Sequence, residues 1–378
     1  MSDETVLSRA RVVLADEVIL ASVVLRDSKI AEIGSPAAGG EDFDGDYLLP
    51  GLVELHTDHL ESHYKPRPRV RWLPIAAVQA HDAQVAASGI TTVFDALRVG
   101  LDEEADMGSA DMLALGSAIG AASAAARLRA EHFIHLRCEV SAPDCLDGFS
   151  MLREHPLVRL ASLMDHAPGQ RQFASLDAYK VYYQGKLKMS DEALAKFSAR
   201  RNTESETYSA PHRNAISQFC REHGITLASH DDATTAHVDE AIAQGIDVAE
   251  FPTTLDAAKA SHEAGLAVLM GAPNVVRGAS HSGNISARDL VRGGMLDILS
   301  SDYIPFSLLQ SVFALTEGDD GISLPAATRF VSKHPADAAG LGDRGEIAVG
   351  KRADLVRVSL ADGVPIVRTV WSAGRRVI

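Results

Sequence analysis

The sequence predicts an α/β protein, a (β/α)8 TIM-type barrel with a small β-domain built from both ends of the chain. Three observations lead there. Through the centre of the chain, short apolar strand-like runs alternate with Ala-rich helical stretches, eight times. Strand-rich sequence returns at both termini. The polar residues able to do chemistry fall at the C-terminal ends of the central runs. Alternating strand and helix implies a parallel sheet, and eight units suggest closure, with the strand ends meeting at one mouth. A doubly wound open sheet is the competing arrangement.

The N-terminal part, residues 1–48, reads as short strands at Val12–Leu14, Val18–Leu20, Val23–Leu25 and Ile30–Gly34, separated by Asp, Glu and Ser turns. The C-terminal part, residues 345–378, reads the same way at Asp354–Val358, Val367–Trp371 and Arg376–Ile378. The barrel is expected over 49–344. Its first strand is Leu52-Val53-Glu54-Leu55-His56, entered through Pro50-Gly51. The next runs are Ile90–Asp95, His132–Glu139, Val158–His166, Ile225–Asp232, Asp247–Phe251, Leu266–Gly271 and Leu296–Asp302. Between Asp165 and Thr226 the spacing is too long for one crossover. That stretch is read either as a lid or as an extra surface helix pair, with polar sequence from Asn202 to Ser209.

Composition narrows the function. With 378 residues, 46% hydrophobic and 23% charged, the chain is an ordinary globular protein with room for one large barrel and an appendage. Its 51 acidic against 36 basic residues give a net charge of −15, which argues against nucleic acid and anionic membranes as partners. Cys138, Cys145 and Cys220 form no Cys-x-x-Cys pair, so neither a disulfide scaffold nor a cysteine zinc site is indicated. The acidic start, Met1-Ser2-Asp3-Glu4, leads into no apolar signal region, and a cytoplasmic protein is expected. A homo-oligomer is compatible with all of this.

The chemistry concentrates at the strand ends: His56 and Asp58, Asp95, Glu139, Asp165 and His166, His230, Glu250, Asn274 and Asp302. Strand alternation would turn His56 and Asp58 the same way. A ring of carboxylates and imidazoles gathered at one mouth is costly to bury without a cation. One or two divalent ions are therefore expected, with zinc or manganese suited to this donor set. Two motif look-alikes are set aside. Gly345 to Arg352 nearly spells a phosphate-binding loop, but Arg352 stands where a Ser or Thr is needed and β-rich sequence follows. Ser280-His281 pairs neighbours in sequence without a nucleophile elbow.

Several long segments then carry a resemblance. Pro50 to His56, Ser301-Asp302, and His334-Pro335-Ala336 through Gly345 to Val356 resemble the amidohydrolase superfamily. Within it the chain closely resembles the PhnM family, the α-D-ribose 1-methylphosphonate 5-triphosphate diphosphatases of bacterial phosphonate breakdown. The matching stretches include His56-Thr57-Asp58 with Pro66 to Arg69, His135 to Glu139, Ser162 to Phe173, Tyr182 to Lys186, Leu227 to Thr234, Ala249 to Thr254 and Leu269 to Asn284. The resemblance implies a metal-dependent barrel carrying a β-domain made from both termini. It implies metal ligation by His56, Asp58, Glu139 and His230, with Glu250 standing where a histidine is usual, as ligand or as orienting group. It makes Asp302 the base that takes a proton from the attacking water. A small phosphorylated substrate calls for cations, and Arg67, Arg69, Arg137, His166, Arg171, Lys186, Arg277 and His281 are the candidates. The implied reaction releases pyrophosphate and leaves ribose 1-methylphosphonate 5-phosphate. Two rival readings stand beside it: C–N hydrolysis by a deaminase or cyclic amidase on the same scaffold, and a non-catalytic scaffold subunit.

Overall fold

The computed structural model describes residues 4–36, 39–100, 107–171, 190–278, 284–317 and 321–378. Five strands come first: β1 (Thr5–Val13), β2 (Val18–Arg26), β3 (Lys29–Gly34), β4 (Glu41–Asp42) and β5 (Tyr47–Pro50). Eight more follow through the centre: β6 (Leu52–Thr57), β7 (Ile90–Val99), β8 (Glu131–Glu139), β9 (Val158–Met164), β10 (Thr226–His230), β11 (Val248–Glu250), β12 (Ala267–Gly271) and β13 (Ile298–Ser300). The last three are β14 (Leu355–Ala361), β15 (Val364–Ser372) and β16 (Arg375–Arg376). Val18–Leu20 and Val23–Leu25, read from the sequence as separate strands, are one: Ala21 and Ser22 are buried, Ala21 pairing with Ala10 of β1 and Ser22 with Gly34 of β3.

The terminal strands pair into one sheet in the order β16-β15-β14-β5-β1-β2-β3, with β4 on β1. Its core holds Leu7, Val12, Val23, Leu48, Leu355 and Trp371, the last stacked on Phe43 at 6.1 Å. The chain leaves this sheet for the barrel at Gly51, whose amide donates to the Asp354 carbonyl at 2.8 Å. A Cβ at Gly51 would lie 2.2 Å from Thr91 Oγ1 and 2.9 Å from Asp354 Cβ, so no larger residue fits this crossing. Gly345 to Arg352, the phosphate-loop look-alike, is a turn region whose Arg352 bridges to Lys29 of β3.

The central strands run parallel in sequence order from β6 to β13. One apolar layer fills the barrel: Val53 and Leu55, Phe94, Phe133, Leu160, Ala228, Val248, Leu269 and Ile298, drawn from all eight strands. Side chains two residues on share the same face. That step turns the apolar layer into His135, Ser162, His230, Glu250 and Ser300 at the C-terminal end, where barrel active sites lie.

The barrel closes between β6 and β13 through side chains and one backbone bridge. Glu54 is fully buried and accepts from the His56 amide at 2.7 Å and the Ser301 amide at 2.6 Å, with Ser300 Oγ 2.7 Å away. Thr57 Oγ1 donates to the Asp302 carbonyl at 2.8 Å, and the two residues form a parallel bridge. Burial pushes the Glu54 carboxyl up to about 7 against these donors.

The long interval after β9 is largely a 33-residue helix, Asp191–His223, started by a Ser190 cap on the Ala193 amide. The polar run Asn202–Ser209 lies inside it. Ser205 and Ser209 hydroxyls donate to Asp165 Oδ2 at 2.7 and 2.6 Å, which docks the helix onto the barrel rim.

Outside the barrel, β7 and β8 meet the helix Pro74–Ala87 through a buried polar group. Asp95 lies 2.7 Å from His132 Nδ1 and 2.8 Å from His81 Nε2, and Asp82 accepts from Arg129 at 2.9 Å. Burial alone would depress His132, but Asp95 and Asp82 more than offset it and push its pKa to about 9. A histidine raised in the folded state contributes stability that is complete below its unfolded value, near 6.5, and lost as pH rises through the folded one. Unfolding free energy should therefore fall by on the order of 2–3 kcal/mol between pH 7 and 9.5. Urea titrations of wild type and His132→Asn check this. The variant should be less stable at pH 7 and nearly flat above it; an equal slope in both would remove His132 as the source.

Candidate metal centre and active site

At the barrel mouth, Glu250 on β11 is the hub. Its Oε1 lies 3.1 Å from His56 Nδ1 and 4.0 Å from His135 Nε2, and its Oε2 lies 3.2 Å from His230 Nδ1. The rings of His56 and His230 stack at 5.5 Å. Burial raises the Glu250 carboxyl, but His56 and His135 outweigh it and hold it well below the usual carboxylate range. His135 is pushed down to about 3, chiefly by burial.

Two groups of side chains offer atoms within 4.8 Å of one another, as a metal requires: His56, His230 and Glu250, and His166, His230 and Asp231. They share His230. Among the described residues, His56 Nδ1 and Glu250 Oε1, 3.1 Å apart, and Asp231 Oδ2 are buried without a well-aligned hydrogen bond. Buried polar atoms in native proteins are normally satisfied, so three poorly satisfied ligand atoms in one place fit a bound cation. Asp302 gives the same indication. Its carboxyl is pushed up to about 7 by burial and then by Asp58, Glu54 and Asp231, with Arg137 opposing. A cation would relieve this crowding of negative charge.

The structure separates the sequence-predicted ligands. His56, His230 and Glu250 come together. Asp58 lies at the mouth but outside that group. It is one-third exposed and accepts from Arg137 Nη1 at 3.3 Å. Glu139 is also occupied. It accepts from Ser141 Oγ at 2.6 Å, the His166 amide at 3.0 Å and Arg201 at 3.1 Å, and its Oε2 lies 2.5 Å from His166 Nδ1. Against its burial, His166, Arg98 and Arg201 hold its carboxyl well below the usual range. Burial lowers His166, but Glu139 and Asp231 overcome it and push it to about 9. Glu139 therefore stands behind His166, whose Nε2 points to Asp231 Oδ2 at 3.7 Å.

Of the expected substrate cations, Arg137 and His166 are at the mouth. Arg171 is not available: it is buried and bound to Asp232 and Glu240. Arg67 and Arg69 are exposed on the loop after β6, and Arg277 is exposed at the end of the helix after β12. Lys186 and His281 lie outside the described residues. Asn274 spends its side chain on Ile285 and Ala287 and shapes its own loop. Sequence reasoning missed Glu54, Asp231, His135 and Arg201 as site residues. The first three were findable: Asp231 follows His230, His135 shares the face of Arg137 and Glu139, and Glu54 precedes His56 by two.

The comparisons with known proteins agree with this geometry. The profile of the Amidohydrolase family matches residues 47–377. The chain is 44% identical over 376 residues to alpha-D-ribose 1-methylphosphonate 5-triphosphate diphosphatase of Escherichia coli (strain K12), covering 98% of this chain and 100% of that protein. It is 26% identical to imidazolonepropionase of Deinococcus deserti over 94% of this chain and 92% of that one. Among solved structures, a Xaa-Pro dipeptidase with bound methionine superposes with a TM-score of 0.66 at 15% identity, covering 99% of both chains. The 5-methylcytosine deaminase from Klebsiella pneumoniae, liganded with phosphonocytosine, gives 0.65 at 16%, covering 99% of this chain and 98% of that one. At such identities the solved structures speak for the barrel alone. Amidohydrolases are generally metal-dependent, which suits the donor groups at the mouth. The chain belongs to the amidohydrolase family and, within it, to the PhnM family of its Escherichia coli relative.

Proposed function

We propose that the chain hydrolyses α-D-ribose 1-methylphosphonate 5-triphosphate to pyrophosphate and ribose 1-methylphosphonate 5-phosphate in phosphonate breakdown. The 44% identity along nearly the whole chain to the Escherichia coli diphosphatase carries this reading. The donor chemistry at the mouth supports it: imidazoles and carboxylates suit zinc or manganese, held by His56, His230, Glu250 and Asp231. When bound, such an ion lowers the pKa of a coordinated water and shields phosphoryl charge.

The chain's own residues do the rest. Asp302, half-buried beside Asp58, is the proton acceptor; a cation at the mouth would bring its raised carboxyl back down and keep it ionised, as a general base must be. Arg137, whose buried Nε has no partner among the described residues, reaches the mouth beside Asp58, placed to grip a phosphate oxygen. His166, held charged by Glu139, adds a second positive group. Arg67, Arg69 and Arg277 on the rim loops suit the outer phosphates of a long substrate. Three free, buried cysteines agree with a reducing cytoplasm. Among the described residues, no helix is long and apolar enough to cross a membrane.

C–N hydrolysis is the rival, since the chain is also 26% identical to an imidazolonepropionase. Phosphorus NMR of the protein with a ribose 5-triphosphate compound separates the two. Pyrophosphate should appear; its absence, together with ammonia released from an amide or purine, would overturn the proposal. Asp302→Asn should lower kcat by roughly 10²–10⁴-fold while the bound metal, measured by mass spectrometry, is unchanged. A near-normal rate would remove Asp302 as the base.

A further inference from the structure

A cavity of about 560 Å³ lies beside the N-terminal end of β8, where the barrel meets the terminal sheet. Its walls come from three stretches far apart in the chain: the helix Pro74–Ala87, the loop that leads into β8, and β16 with Val377. Four of its lining residues are arginines, Arg127, Arg129, Arg375 and Arg376, and among the described residues no carboxylate side chain lines it. The chain as a whole carries 51 acidic against 36 basic residues, so this concentration runs against its composition. β8 starts at Glu131, just after Arg129, and ends at Glu139, so the cavity and the mouth lie at opposite ends of that strand.

Each guanidinium carries five N–H donors, and few of those here are spent on the protein. Arg127 is exposed, and its side chain makes no hydrogen bond among the described residues. Arg375 donates from Nη2 to the Leu128 carbonyl at 3.0 Å, which holds the terminal strand against the loop. Arg129 gives Nη1 to Asp82 at 2.9 Å, yet 42% of its side chain stays exposed. Arg376 donates from Nε to the Ile378 main-chain oxygen at 3.2 Å and from Nη2 to Thr369 at 3.5 Å, with Glu41 3.8 Å from Nη1. The fully buried Asp82 and the more distant Glu41 therefore stand against four cations, and positive charge is left facing the cavity. A cleft lined by one sign of charge focuses its field and gathers counter-ions.

We propose that this cavity binds a small ligand carrying two or more phosphate groups, at a site separate from the barrel mouth and independent of the reaction proposed there. Planar guanidiniums match phosphate oxygens in pairs, and arginines arriving from two segments suit a chain of phosphates better than a single one. The volume suits a small molecule, since ligand pockets run from about 300 to 1,000 Å³. Inorganic pyrophosphate and a nucleoside triphosphate present the same phosphate-chain chemistry. Bound there, the phosphate chain joins Arg127 and Arg129 of the barrel to Arg375 and Arg376 of the terminal sheet, and so ties the two domains together.

The test is calorimetric titration of the metal-loaded full chain with inorganic pyrophosphate and, in a separate arm, with a non-hydrolysable nucleoside triphosphate. Arg127→Gln and Arg375→Gln, both at exposed positions, should each weaken one binding event roughly tenfold and together abolish it. Turnover at the mouth should be unchanged in both. Arg137→Gln, altered at the mouth, should keep the event that depends on Arg127, so failure of the mouth is told apart from failure of this site. Added salt should weaken that event, and pyrophosphate should raise the Tm of Arg137→Gln more than that of the double variant. Tighter binding of the nucleotide, or equal binding of both compounds, upholds the site and says which source fills it. Equal stoichiometry and affinity for both compounds in wild type and the double variant would overturn the proposal.

Discussion

The carboxylate of Glu54 holds the first barrel strand to the last. A parallel barrel must join two strands that are some 240 residues apart in the chain, and here one backbone bridge, Thr57 to Asp302, is supplemented by side chains. β13 is only three residues long, so backbone pairing alone offers little. Glu54 reinforces it by gathering the Ser301 and His56 amides and the Ser300 hydroxyl. An unpaired buried carboxyl would be costly, and each of these donors offsets part of that cost. Since His56 and Asp302 flank the joint, the same contacts that close the barrel set the distance between one end of the site and the other.

Electrostatics follow from that closure. Asp58, Asp231, Glu250 and Asp302 converge with few cations between them, and the raised Asp302 carboxyl records the crowding. The left-handed backbone at Asp231, Phe251 and Asp302 (φ 57°, 54° and 55°) turns the chain sharply at three strand ends. Strain of this kind is tolerated where the surroundings over-determine it, and it clusters at functional sites. Glu139 shows the opposite arrangement. Surrounded by His166, Arg98 and Arg201, it is neutralised by the protein itself and acts by holding His166.

The eight strands were legible because each is a compact apolar run, and one apolar layer from all eight fills the barrel. His230 and Glu250 were legible as site residues because they lie two steps beyond that layer. What could not be read depends on partners distant in sequence. Nothing local to Arg171 announces Asp232 and Glu240, or to Glu139 the arrival of Arg201 from the long helix. Asp58 reaches the mouth as expected but is held by Arg137, outside the group of His56, His230 and Glu250, a pairing strand alternation does not announce. The polar run at Asn202–Ser209 reads as loop, yet its serines are the docking face of a helix on Asp165.

The most direct test of this account is anomalous scattering at the zinc or manganese edge from crystals of the metal-loaded protein. One peak is predicted at the mouth, within coordination distance of His230 and of His56, Glu250 or Asp231, with Asp302 close enough to reach a water on the ion. A mouth ion held by Asp58 and Glu139 but not by His230 and Glu250, or no peak inside the mouth, would contradict it.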